Sequence, residues 1–232
     1  MLKVINWENV YVPDSNLYSK FQKTDEDDFI RLCKEITLKY IDITPKMNVF
    51  SMALFDAEKI SQILITARDT DKTKIGSQEM VVVTKDGKNY AYNNRKAMGP
   101  SSEAAINYEI HKLTLKKFVV HLNTKEIEKF AWEKIRNKIF IKRKDIRIPN
   151  DDGTIRFMIY ILEDAFNVDL IELSEKISIA INKGISDGHP VEKIIILGKN
   201  HAIWFAGDSI DDLIERSDKI NRAISNLNIQ CD

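Results

Sequence analysis

Residues 98–123 read MGPSSEAAINYEIHKLTLKKFVVHLN and carry, at their two ends, the residue types of a reaction site. Ser101 and Ser102 follow Pro100 at the opening of a helical pattern, where the first backbone N–H groups have no acceptor within the helix. Two hydroxyls beside such N–H groups make a cradle for phosphate or another anion, whereas ordinary capping needs only one serine. Glu103 comes next, a carboxylate in the first turn of a helix begun by Pro100. The helix dipole favours it there whatever its function, and the same group is able to move a proton. Further on, His121 closes a short apolar run and Asn123 follows two residues later, so both side chains leave an extended strand end on the same side. A single histidine in an apolar run is commonly a hydrogen-bonded core residue, so its chemistry depends on what else the fold brings to it.

The elements that must position these residues follow from periodicity and punctuation. Thr24 followed by DEDD caps a helix over 25–41, with Phe29, Leu32, Cys33, Ile36 and Tyr40 on one face. After Pro45 the runs NVFSMALF, QILIT and EMVVVTKDGKNYAY are strand-like, and Asp86-Gly87 is a hairpin turn. Pro100 stops the strands, and Ile106, Ile110 and Leu113 give the next helix its buried face. A strand over 118–122, a helix over 125–138 and, after the turn Asn150-Asp151-Asp152-Gly153, a strand over 154–162 come next. A helix over 168–183 is closed by Gly184. The apolar run 191–197 and the run AIWFA lead to Gly207-Asp208-Ser209, where Ser209 with Asp212 caps the last helix ahead of Leu213, Ile220 and Ile224. With no repeat, low-complexity tract or linker, the pattern predicts one α/β domain over 1–232, a largely antiparallel central sheet covered by helices, with 1–24 as an N-terminal extension.

Composition narrows the function classes. Lys plus Arg and Asp plus Glu number 35 each, so no overall field recruits nucleic acid or an anionic membrane. The most basic segment, 134–147, alternates with apolar residues and reads as a helix end feeding a strand rather than a nucleic-acid patch. Cys33 and Cys231 have no CxxC spacing, which argues against a disulfide framework or a thiolate metal site. The first residues lack the apolar core of a signal peptide, and no window holds the ~18 uninterrupted apolar residues of a membrane span. The expectation is a cytoplasmic, soluble protein.

The order of features is more informative than any one of them. ILIT, VVVTKDG, GPSSEAA, KKFVVHLN, IIILGKNHA and FAGDSIDDLIER follow one another at spacings that resemble the class II aldolase/adducin family over about residues 25–225. That resemblance implies a helix-start Glu as acid/base, here Glu103, and an H-x-H pair with a later His holding a divalent metal such as zinc. By position His121 is the first ligand, Asn123 stands at the second and His201 is the third. Ser101 and Ser102, with Asn48 in MNVFS and Thr66 in ITARD, match the residues that hold a substrate phosphate. Such a metal stabilises the enediolate formed when a carbon next to a carbonyl loses a proton or a bond. The resemblance also implies a homotetramer with sites at subunit interfaces.

The departures from that pattern are specific. Asn123 offers a neutral carbonyl oxygen in place of an imidazole nitrogen, which lowers zinc affinity. Met47 replaces a Gly, Ala67-Arg68 stand near the usual Ser-Gly, Asn107 occupies a helix position that often carries His, and Ala202 follows His201 where Gly is usual. Arg68 offers a charge-assisted contact in compensation, although an exposed, solvated Arg also explains it. Two functional classes follow. One is a divergent enzyme acting on a small phosphorylated sugar or hydroxy-carbonyl compound by aldol cleavage, epimerisation or dehydration. The other is a catalytically inactive, adducin-like binding or assembly protein that keeps the fold and an anion pocket.

Overall fold

The apolar runs of the sequence pair into a single nine-stranded sheet in the computed structural model, which describes residues 20–40, 46–57, 59–86, 89–94, 98–127, 145–162, 170–198 and 202–229. The described elements are α1 (Lys23–Lys39), β1 (Val49–Asp56), β2 (Lys59–Thr66), β3 (Met80–Asp86), β4 (Asn89–Asn94), α2 (Ala104–Thr114) and β5 (Phe118–Leu122). They continue with β6 (Asp145–Pro149), β7 (Ile155–Leu162), α3 (Leu170–Ser186), β8 (Ile194–Gly198), β9 (Ile203–Gly207) and α4 (Ile210–Ile229). The strand order is β4-β3-β2-β1-β5-β9-β8-β7-β6. All neighbours run antiparallel except β7 and β8, which are parallel and are joined through α3, the crossover that a parallel pair requires. The expected one-domain α/β architecture with a largely antiparallel sheet is therefore the one observed.

Period-two alternation divides the strand side chains between two covered faces. Phe50, Met52, Leu64, Val82, Val120 and Phe205 join Phe29, Leu32, Cys33 and Ile36 of α1 and Leu213, Ile220 and Ile224 of α4 in one core. On the opposite face Val119, Ile194, Ile196 and Trp204 pack with Ile106 and Ile110 of α2 and Leu173 and Ile177 of α3. Val49, Ala53, Ile63, Ile65, Val81 and Val83 extend that face beneath Ala104 and Tyr108. His121 and Asn123 share the parity of Val119, so they belong to the α2 side of the sheet.

Several local expectations are corrected. Helix α1 starts two residues before the predicted point, with Gln22 rather than Thr24 at its cap, because the Asp25 carboxylate accepts the Gln22 N–H at 3.3 Å. Gly184 does not end α3, which runs on to Ser186. A Cβ on Gly184 would lie 2.6 Å from Ile194 Cδ1 and 3.2 Å from Tyr160 Cε2, so the glycine serves the close approach of α3 to β7 and β8. The predicted cap of the last helix is present: Ser209 Oγ accepts the Asp212 N–H at 3.3 Å. The hairpin between β3 and β4 pairs Asp86 with Asn89, while Gly87 lies outside the described residues. Most of the predicted 125–138 helix, most of the basic segment 134–147 and the stretch 1–19 also lie outside them. Among the described residues no helix is long and apolar enough to cross a membrane.

Candidate functional site

Four neighbouring strands place an end at the same side of the sheet: β2 finishes at Thr66, β1 starts at Val49, β5 finishes at Leu122 and β9 starts at Ile203. Register brings Val49 opposite His121, and His121 opposite Trp204. The His121 and Trp204 rings lie 5.0 Å apart, tilted at 53°. The Thr66 carbonyl accepts the Ser101 N–H at 3.2 Å, Ala67 bridges Pro100, and the Arg68 N–H donates to the Gly99 carbonyl at 3.1 Å. These bonds fasten the segment entering α2 to the end of β2. On the other side of β1, Asn48 Oδ1 accepts the Asn123 N–H at 2.9 Å, and Asn123 Nδ2 donates to the Met47 carbonyl at 3.2 Å. Asn48, Thr66, Ser101, Glu103, His121 and Asn123 are all buried, Ser102 is half-buried, and Arg68 is exposed.

The start of α2 differs from its predicted form. The helix begins at Ala104, and Glu103 is its N-cap residue with φ −77° and ψ 1°, rather than a member of a first turn started by Pro100. Its carboxylate makes no capping hydrogen bond. Ser101 does the local work instead: its Oγ accepts the Glu103 N–H at 3.3 Å, and its carbonyl accepts the Ala104 N–H at 3.1 Å. Ser101 is thus used structurally, as the acceptor for the backbone N–H of the cap residue.

Two further buried polar groups gave little sequence signal. His111, on α2, is fully buried, with Nδ1 2.7 Å from the Lys116 carbonyl and Nε2 2.8 Å from Ser51 Oγ. Because a carbonyl has no proton to offer, Nδ1 carries the hydrogen, and the Ser51 hydroxyl donates to Nε2 of the neutral ring. Burial lowers the His111 pKa from 6.5 to about 4, opposed only in part by the Lys116 carbonyl. Its position four residues after Asn107, on the same helix stripe, was the one available clue. Lys72, within DTDKTK, has a buried side chain whose Nζ donates to the Lys46 carbonyl at 2.9 Å. Burial pushes its amine down to about 8.

The third predicted metal ligand, His201, lies outside the described residues; its neighbour Ala202 is buried, and the Ala202 carbonyl accepts the Gly198 N–H at 2.9 Å. Among the described residues no three His, Cys, Asp or Glu side chains form a metal-binding group. Asn123 Oδ1 is buried and has no hydrogen-bond partner among them, so a carbonyl oxygen is the only donor this position has to offer. The donors these two positions supply are one imidazole and one neutral amide oxygen, the latter tethered through its own NH2 to Met47, so a zinc centre here would need His201 or a further group to complete it.

No protein-family model matches the sequence, and no curated protein matches it. Solved structures do resemble it. The L-fuculose-1-phosphate aldolase of Thermus thermophilus shares 12% identity at a TM-score of 0.59, covering 94% of this chain and 95% of that one. A sugar-phosphate aldolase from Thermotoga maritima shares 16% identity at 0.62, covering 87% and 93%. The N-terminal class II aldolase domain of a conserved Thermoplasma acidophilum protein shares 13% at 0.56, covering 89% and 95%. Identities this low speak for the fold alone, but they do so over nearly the full length of each chain. The chain has the class II aldolase fold.

Proposed function

We propose that the chain is a divergent member of the class II aldolase/adducin family, a carbon–carbon lyase or a related epimerase or dehydratase. Its substrate is a small phosphorylated sugar or hydroxy-carbonyl compound. The observation that supports this most is the direct bond between Thr66 and Ser101, which joins two residues of the predicted phosphate set at the strand ends shared with His121. In this reading Ser101, Ser102, Asn48 and Thr66 hold the phosphate, and Glu103 takes or returns a proton on the carbon next to the carbonyl. His121 and His201 are the two imidazoles available to a divalent metal, with Asn123 a weak third donor. A homotetramer with sites at its subunit interfaces, in the cytoplasm and without nucleic-acid or membrane partners, completes the proposal.

The test is a screen of phosphorylated aldoses and ketoses for release of a three-carbon fragment, using protein purified without chelator and assayed for metal content. Glu103→Gln should lower any turnover found by roughly 10²-fold or more, the usual contribution of a positioned acid or base. A second reading, a non-catalytic adducin-like binding or assembly protein with an anion pocket, draws on Asn123. Its bonds to Met47 and Asn48 make it a structural clasp where a ligand is expected. Metal-free protein that binds phosphate but turns over no substrate would decide for this second reading.

A further inference from the structure

We infer that Lys72 is a positioning residue for the anion site: from the loop after β2 it holds the Lys46 carbonyl and, together with Asn123, sets where Asn48 stands. The inference deepens the proposal above and rests on reading Asn48 as part of the phosphate set. Three consecutive residues ahead of β1 carry it. Lys72 Nζ donates to the Lys46 carbonyl at 2.9 Å, and Asn123 Nδ2 donates to the Met47 carbonyl at 3.2 Å. These donors come from 26 and 76 residues away, so the segment is gripped from two separate parts of the fold. At the third residue, Asn48 Oδ1 accepts the Asn123 N–H at 2.9 Å. A backbone N–H can only donate, so this bond fixes which way the Asn48 amide faces and leaves its NH2 as the group able to donate to an oxyanion.

Lys72 exposes 1% of its surface and is the one buried lysine among the described residues. Its bond goes to a neutral carbonyl, which a shorter, uncharged donor could hold at a lower cost of desolvation. What lysine adds is charge, since a bond from an ammonium is about twice as strong as one between neutral groups. The segment it grips otherwise crosses the surface, with Lys46 and Met47 exposed and only Asn48 buried. The loop that carries Lys72 leaves β2 at Thr66, whose carbonyl accepts the Ser101 N–H at 3.2 Å. One end of this connection thus fastens the segment bearing Ser101 and Ser102, and Lys72 fastens the segment bearing Asn48. Burial pushes the Lys72 amine down to about 8. It faces Cys33 of α1, whose thiol burial pushes up and keeps neutral, Asp69 and Asp71 of its own loop, and Lys46. Thr73 holds the Asp71 carboxyl below its usual range, so that group stays ionised where the amine titrates. As pH rises through about 8 the amine loses its proton, and its hold on the Lys46 carbonyl weakens.

The experiment uses the full-length protein with inorganic sulfate as the probe, because sulfate keeps the same charge across neutral and mildly alkaline pH. Calorimetry measures its affinity, and 15N NMR follows the Asn48 side-chain NH2. In Lys72→Met the Asn48 signal should move, and sulfate should bind at least about five-fold more weakly. In the wild type both readouts should change between about pH 7 and about pH 9, with sulfate affinity falling at least about two-fold, and Lys72→Met should lose that dependence. A Lys72→Met protein that is merely less stable, with the Asn48 signal and the sulfate affinity unmoved, overturns the inference and leaves the phosphate reading in place. If Lys72→Met does not fold, the wild-type titration carries the test, and an Asn48 signal that stays still through about pH 8 overturns the inference. Should the wild type bind no sulfate while the Asn48 signal responds as expected, the phosphate reading falls and the positioning stands.

Discussion

At Asn123 the backbone N–H and one N–H of the side-chain amide are committed to Asn48 and Met47, which leaves a buried carbonyl oxygen without a hydrogen-bond partner among the described residues. If the position is right for a ligand and the residue type is wrong, Asn123→His should raise zinc or manganese affinity at least about ten-fold, ~1.4 kcal/mol. Asn123→His combined with His201→Ala should lose that gain, because two imidazoles without a third leave the tetrahedral set incomplete. Calorimetric titration of the wild type and both variants measures this, and no gain in the single variant would show that the site no longer accepts a metal. His111 makes a separate prediction. Its folded pKa lies near 4 against an ordinary 6.5, so the unfolded chain takes up the proton first as pH falls. The stability it permits is therefore complete above about pH 6.5 and is lost progressively down to about pH 4, by on the order of 3 kcal/mol. Urea unfolding at stepped pH should show this slope, and His111→Gln should flatten it.

Among the elements, α2 is the one whose start carries the proposed anion site and whose body packs against the sheet. If Ser101 and Ser102 hold phosphate as proposed, binding should stabilise the folded state by mass action, about 2.7 kcal/mol at a hundred times the Kd. A thermal scan should show Tm rising by several degrees with phosphate, and the Ser101→Ala/Ser102→Ala double variant should lose most of the rise. An equal rise in the double variant would remove the anion site. Ser101→Ala alone should also lower stability by about 1 kcal/mol, since its hydroxyl accepts the Glu103 N–H. In α3 the position to probe is Gly184. Helix propensity alone makes Gly184→Ala favourable by up to ~1 kcal/mol. The 2.6 Å approach to Ile194 Cδ1 makes it overpacked instead, so a net loss of about 1–2 kcal/mol is expected in urea unfolding.

On the scale of the whole molecule, three apolar clusters share one uninterrupted sheet, and Trp204 sits at its centre, paired with both β5 and β8 and 1% exposed. No strand boundary separates one half from the other, so the Trp204 indole resonance and the far-ultraviolet ellipticity should fall at the same urea concentration. Separate midpoints would mean that the β1–β4 side and the β6–β8 side unfold independently. Much of this architecture was legible in the sequence, because its signals are local. Alternating runs such as VFSMALF and EMVVVT mark strands, Ile106 and Ile110 mark a helix face, and Pro100-Ser101-Ser102-Glu103 marks the approach to a helix start, which falls at Ala104. Exact ends were less legible: Gln22 displaced Thr24 as a cap, and α3 ran through Gly184, because side-chain contacts outweighed propensity there. The tertiary structure alone decided which strands are neighbours, and so which loops meet. The parallel pairing of β7 with β8, the bond from Asn48 to Asn123 across 75 residues and the bond from Ser51 to His111 across 60 arise only when both faces of the sheet are buried together. No periodicity encodes such encounters, since they depend on sheet order, and that is why His111 and Lys72, unremarkable in their own segments, became buried polar groups.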